Sequence, residues 1–126
     1  MQKISTIIKI DINGFNKRTQ AENPAVTAHY LANYYELISN MVSAYGWRFV
    51  KGMGDCVLIS ADENAGTENI SLFYEAISSR FDVCLYYREC KFEEVEFTFG
   101  KYSCLDTIGK DVNNLFLNDS STIVLG

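Results

Sequence analysis

Apolar positions along this chain repeat with two different periods, and the switches between them mark the elements. Residues 4–12, Ile-Ser-Thr-Ile-Ile-Lys-Ile-Asp-Ile, are apolar nearly throughout, which predicts a central strand covered on both faces. The polar stretch that follows predicts a turn and a short helix. Asn23-Pro24 is a helix start, with Asn as cap and Pro at the first helical position. From there Leu31, Tyr34, Tyr35, Ile38, Met41, Val42 and Tyr45 recur at helical spacing, and Gly46 ends the run. Residues 47–51 and 55–60 predict a hairpin turning at Gly52-Met53-Gly54. A polar loop, ADENAGTEN, comes next. Ile70, Phe73, Tyr74, Ile77, Phe81 and Leu85 then predict a second long helix. Residues 94–99 alternate, with Val95, Phe97 and Phe99 on one face, as a half-exposed strand does. Residues 109–117 predict a short helix and STIVLG a last strand. The economical arrangement is a single α+β domain, residues 1–126, of the ferredoxin-like kind: an antiparallel-rich sheet with helices packed on one face.

Charge and composition narrow the partners. A net charge of −5 argues against a duplex nucleic-acid binder, which needs a basic face, but leaves nucleotides open because metal ions screen phosphates. No apolar run approaches the roughly 20 residues that cross a bilayer, and the N-terminus lacks a signal-peptide pattern. A cytoplasmic protein without a membrane partner or a regulatory domain is expected. The cysteines Cys56, Cys84, Cys90 and Cys104 form no C-x-x-C pair, so reduced, buried thiols are expected rather than a metal site. The lone His29 is assigned nothing.

The candidate chemistry starts at Asp11, a carboxylate ending an apolar strand and followed at once by Gly14-Phe15. Asp55 sits at the hairpin turn. If the two strands are neighbours, both carboxylates stand at one sheet edge, the usual way of holding Mg²⁺ beside phosphates. Two such ions activate a hydroxyl and steady a leaving pyrophosphate. Each residue also has a plainer reading: Asp11 opens a turn, and Asp55 is a hairpin residue.

Three segments carry a resemblance. DINGFNK resembles the first metal motif, D-I-x-G-F-[ST], of class III adenylate and guanylate cyclases. FVKGMGDCVLI resembles their second, and LDTIGKDVNNL their third, in the same order. The resemblance implies a palm-type fold and roles for matching positions. Asp11 and Asp55 would bind two divalent metals, Mg²⁺ or Mn²⁺, assisted by the Ile12 carbonyl. The backbone of Asn13, Gly14 and Phe15 would bind phosphate. Lys51 and Asp106 would read the base, an adenine-type pair in which Lys donates to a ring nitrogen and Asp accepts from the exocyclic amine. Asn113 would orient the ribose. A head-to-tail homodimer would bring metal and base residues together, with ATP or another nucleoside triphosphate as substrate. Without the motif, Lys51 and Lys110 read as solvated charges, Asp106 as a helix cap and Asn113 as an exposed helix residue.

Three departures stand out, the first being the short segment FTFGKYSC before Asp106, where the family has a longer hairpin. The family's transition-state Arg, four residues after the Asn, is here Leu117, and no Lys follows Lys110. Three activities are therefore expected in order. The first is a minimal cyclase releasing a cyclic nucleotide second messenger and pyrophosphate, with Lys101, Lys110 or Arg18 replacing the Arg. The second is a synthase of cyclic di- or oligonucleotides in antiphage signalling, akin to the palm polymerases related to type III CRISPR systems, although their Gly-Gly-Asp-Asp turn is here Met53-Gly54-Asp55-Cys56. The third is a degenerate nucleotide-binding pseudo-cyclase.

Overall fold

A computed structural model of the chain describes residues 2–61 and 65–126. The elements are β1 (Gln2–Ile12), α1 (Phe15–Ala21), α2 (Pro24–Tyr45), β2 (Arg48–Met53), β3 (Cys56–Ala61), α3 (Thr67–Ser78), β4 (Val83–Phe99), β5 (Tyr102–Ile108), α4 (Lys110–Phe116) and β6 (Ile123–Leu125). The sheet runs in the order β2-β3-β1-β4-β5, with β6 also beside β4, and each pairing is antiparallel. The segment from β1 to β4 is the ferredoxin-like β-α-β-β-α-β unit, and β5, α4 and β6 extend it.

The two faces of β1 explain the layers. Ile8, Ile10 and Ile12 point to one side with Val57, Ile59 and Leu85, where Tyr34, Ile38 and Val42 of α2 and Ile70, Phe73 and Ile77 of α3 cover them. Each such side chain contributes about 1.5–3 kcal/mol by leaving water. Ile7 points the other way with Leu58, Cys90 and Phe92, under Val112 and Leu115 of α4. Helices on one face describe α2 and α3; the short α4 lies across the opposite face. The candidate residue Asp11 shares that second face with Ile7.

Local signals place α2 as expected. The Asn23 side chain accepts from the Ala25 N–H at 2.8 Å, Pro24 opens the helix, and Gly46 closes it at φ 72°. The next helix is shorter than its periodicity predicts. It ends at Ser78, and Leu85 belongs to β4. Phe81 and Leu85 fit a helical spacing, but Val83, Leu85 and Tyr87 also alternate, and pairing along the whole of β1 decides for the strand. The half-exposed strand at 94–99 is the outer half of the 17-residue β4, which leaves the sheet and pairs only with β5 through a turn at Gly100 (φ 57°). Its apolar side is uncovered: Phe97 is 44% exposed and Phe99 54%. The loop expected over 61–69 lies partly outside the described residues, and Thr67 already opens α3. Cys84 and Cys90 are buried as expected, Cys56 is half-buried, and Cys104 is exposed because β5 is an edge strand.

Candidate active site

β1 delivers Asp11 to the end of the sheet, and the turn between β2 and β3 brings Asp55 beside it. The Ile12 N–H donates to Asp55 Oδ2 at 3.0 Å, so the second carboxylate is tied to the residue that follows the first. Burial pushes the Asp11 carboxyl above its usual range; Lys9 pulls it down and Asp55 adds to the rise. Two acceptor-only carboxylates held together repel, and a cation between them removes the repulsion. Among the described residues no third His, Cys, Asp or Glu joins them in a metal-binding cluster. A pair of this kind fits Mg²⁺ or Mn²⁺, which take one or two carboxylates and complete their shell with water and phosphate oxygens.

The turn that carries Asp55 is clamped from α2. Tyr35 Oη donates to the Gly54 carbonyl at 2.6 Å. The ring lies so close over Gly52 that a Cβ there would stand 2.3 Å from Tyr35 Oη. Tyr35 reads as one member of an aromatic core stripe in the sequence; in the fold it is a strut for the carboxylate turn.

A cavity of about 340 Å³ opens next to the pair, lined by Ile12, Gly14, Phe15, Asn16, Lys17 and Asp55. Gly14 caps α1 in the left-handed region at φ 71°, where glycine is favoured. The first N–H groups of α1 have no partner within the helix. Asn13 plays a different part from its neighbours. Its N–H donates to the Asp82 carbonyl at 2.8 Å and its Nδ2 to Asp82 Oδ1 at 3.0 Å, so both brace the loop before β4. Gly14 and Phe15 are left as backbone on the cavity. Lys17, which the sequence reading passed over, is the cation on its wall.

Lys51 and Asp106 meet, with Nζ 2.6 Å from Oδ1. The hydrogen bond from Lys51, and then that from the Thr107 N–H, hold the Asp106 carboxyl below the usual range. β2 and β5 are the two ends of the strand order, so this contact requires the sheet to curl until its ends approach. Arg48 and Lys3 add a second clasp by converging on Glu94. Asp106 is thus a strand residue engaged across the curl, while Gly109 caps α4. Asn113 is exposed on α4, and Leu117, one turn on, is 77% exposed. The structure therefore assembles two pairs, Asp11/Asp55 and Lys51/Asp106, while Asn113 stands exposed on α4.

The cations expected in place of the family's Arg sit on three separate parts of the fold. Arg18 is held by Glu22 at 2.7 Å and by the Tyr30 ring at 3.4 Å. Lys101 is at the tip of the β4–β5 arm and Lys110 opens α4. The ammonium beside the carboxylates is that of Lys9, 3.9 Å from Asp11 Oδ2.

No family model and no curated protein matches the chain. Solved structures do. A bacterial light-regulated adenylyl cyclase superposes with a TM-score of 0.79 over 90% of this chain and 67% of its own, at 18% identity. The adenylyl cyclase CyaB from P. aeruginosa gives 0.74 over 98% and 74%, at 16% identity. The guanylate cyclase domain of RhGC from Catenaria anguillulae, solved in complex with GTP, gives 0.78 over 98% and 76%, at 11% identity. The chain has the class III cyclase catalytic fold. It spans about two thirds to three quarters of these three chains. Within the cyclase fold the strand order places Asp11, on β1, next to Asp55, in the turn that leads into the adjacent β3. That adjacency is the feature the motifs alone leave open.

Proposed function

We propose that the chain is a metal-dependent nucleotidyl cyclase that converts ATP to a cyclic nucleotide and pyrophosphate. The observation that carries this is the convergence of Asp55 on Ile12 and Asp11, beside a cavity walled by Gly14, Phe15 and Lys17. Asp11 and Asp55 would hold the divalent ions, which when bound would supply activation of a hydroxyl and charge neutralisation at a pyrophosphate. Gly14 and Phe15 offer backbone N–H groups to the phosphates, and Lys17 adds positive charge. Lys51 and Asp106 read the base: the ammonium donates and the carboxylate, kept ionised by its partner, accepts. Asn113 orients the ribose from a second copy of the chain. The uncovered strip of Phe97, Phe99 and Tyr102, with ring centroids 6.1 and 5.8 Å apart in sequence, is the surface on which two copies meet.

A second reading, nucleotide binding without turnover, is favoured by Leu117. A positioned cation at developing phosphate charge is worth orders of magnitude in rate, and Leu117 supplies none. Mass spectrometry of products formed from all four nucleoside triphosphates with Mn²⁺, beside Asp55→Asn, decides. A cyclic mononucleotide lost in Asp55→Asn supports the cyclase. A cyclic dinucleotide moves the chain to the synthase reading. No product, with ATP still raising Tm, leaves a binding module.

A further inference from the structure

Lys9 occupies a place where its chemistry is costly. It lies in the middle of β1, flanked by Leu58 on β3 and Tyr86 on β4, and its side chain is only 12% exposed. A buried ammonium requires compensation. Three elements supply it. The Tyr86 ring of β4 has its centroid 4.3 Å from Nζ, and the Phe116 ring of α4 has its centroid at 5.2 Å. Asp11, two residues along β1 and on the same face, places Oδ2 3.9 Å away. Held by these rings, the charge is fixed in position rather than swept out on a free chain. Asp11 is also coupled to Asp55. The carboxylate site therefore contains two negative charges and one built-in positive charge.

We propose that Lys9 is a resident cation of the carboxylate site, a positioning residue that orients Asp11 and sets how tightly a divalent ion binds there. This rests on the reading that Asp11 and Asp55 hold the divalent ion. An ion arriving at the pair meets a net charge of −1 instead of −2, so the lysine weakens metal binding while keeping Asp11 ordered before the metal arrives. The site is tuned for an ion delivered with a triphosphate rather than one retained alone.

The test is the affinity of the metal-free chain for Mn²⁺ alone, read from the electron paramagnetic resonance signal of free Mn²⁺. Lys9→Met is expected to bind Mn²⁺ at least about tenfold tighter than the wild type, because a like charge in contact with Asp11 is removed. Lys9→Arg, which keeps the charge, should stay within about threefold of the wild type. Asp55→Asn placed on Lys9→Met should abolish the gain. If Lys9→Met does not fold, Lys9→Gln, of similar reach and no charge, is read in the same way. Unchanged or weaker Mn²⁺ binding in the folded neutral variant overturns the proposal, as does a gain that survives Asp55→Asn. A merely structural lysine would lower Tm on replacement without tightening metal binding. Product formation is not the readout. A chain that makes no cyclic nucleotide yet shows the tightening keeps this inference and loses the cyclase reading; a working cyclase without the tightening does the reverse.

Discussion

Gly52→Ala tests whether Tyr35 is the strut of the carboxylate turn. The new methyl would stand 2.3 Å from Tyr35 Oη, 2.6 Å from Cε2 and 2.7 Å from Cζ, so the whole outer ring must move, not only the hydroxyl. Tyr35 packs against Tyr34 and Phe49, with centroids 6.0 Å away in both cases, which limits where the ring can go. Displacement ends the hydrogen bond to Gly54, worth about 1 kcal/mol. Overpacking adds about 1–3 kcal/mol. Against these stands a gain of about 0.5–1 kcal/mol from replacing a strand glycine by alanine. The net loss is about 1–3 kcal/mol. With Tyr35→Ala already in place the clash and the hydrogen bond are both gone, so the same substitution should be neutral or stabilise by up to about 1 kcal/mol. Urea unfolding of the four proteins measures both costs. Their difference, the coupling energy, should be about 2–4 kcal/mol, because the glycine term cancels, and this is well beyond the roughly 0.5 kcal/mol scatter of independent sites. Equal costs in the two backgrounds would refute the strut.

Three further outcomes follow from other parts of the structure. Phe99→Asp, on the uncovered aromatic strip, should convert a dimer to a monomer in light scattering while leaving Tm of the isolated fold nearly unchanged; a dimer that persists refutes that interface. Leu115→Ala, which empties the fully buried contact of α4 with Ile7, Leu58 and Phe92, should cost about 2–5 kcal/mol in denaturant unfolding. The Lys51–Asp106 pair predicts a pH dependence. The Asp106 carboxyl is depressed in the fold, so its contribution is present above the unfolded value near 3.9 and is lost as pH falls through the lower folded value. The stability gap between wild type and Asp106→Asn should therefore be full at pH 6 and shrink below about pH 4; a gap constant over that range refutes the pairing.

Elements that carry their own local signals were legible in the sequence. The cap at Asn23-Pro24, the stop at Gly46 and the Gly-rich turn before Asp55 each fix a boundary without help from the rest of the chain. The boundary between α3 and β4 had no such marker, because the apolar residues at 81 and 85 satisfy both periods and only the partner strand β1 chooses between them. β5 was invisible for a related reason. Tyr102–Ile108 has little to bury, with Leu105 61% exposed, and it is a strand because β4 offers it hydrogen bonds. The three motifs placed Asp11, Lys51, Asp55 and Asp106 in order along the chain, but the curl that joins β2 to β5 is a property of the whole sheet.

Lys9 is the instructive miss, since its signal was in the first strand. Alternation puts residues 7, 9 and 11 on one face of β1 whatever the fold, so a lysine at position 9 must lie beside Asp11 and one step from buried Ile7. An ammonium set between the buried Ile8 and Ile10 costs several kcal/mol unless something nearby answers its charge. The residue that can answer it is the carboxylate two positions on, which is itself short of a cation. Read that way, Thr6-Ile7-Ile8-Lys9-Ile10-Asp11 already contains an internally compensated site, and the fold adds Asp55, Tyr86 and Phe116 around it. The same reasoning says why the compensation is partial. One ammonium faces two carboxylates, the Asp11 carboxyl stays raised despite its neighbour, and the remaining negative charge is what a divalent ion would bind.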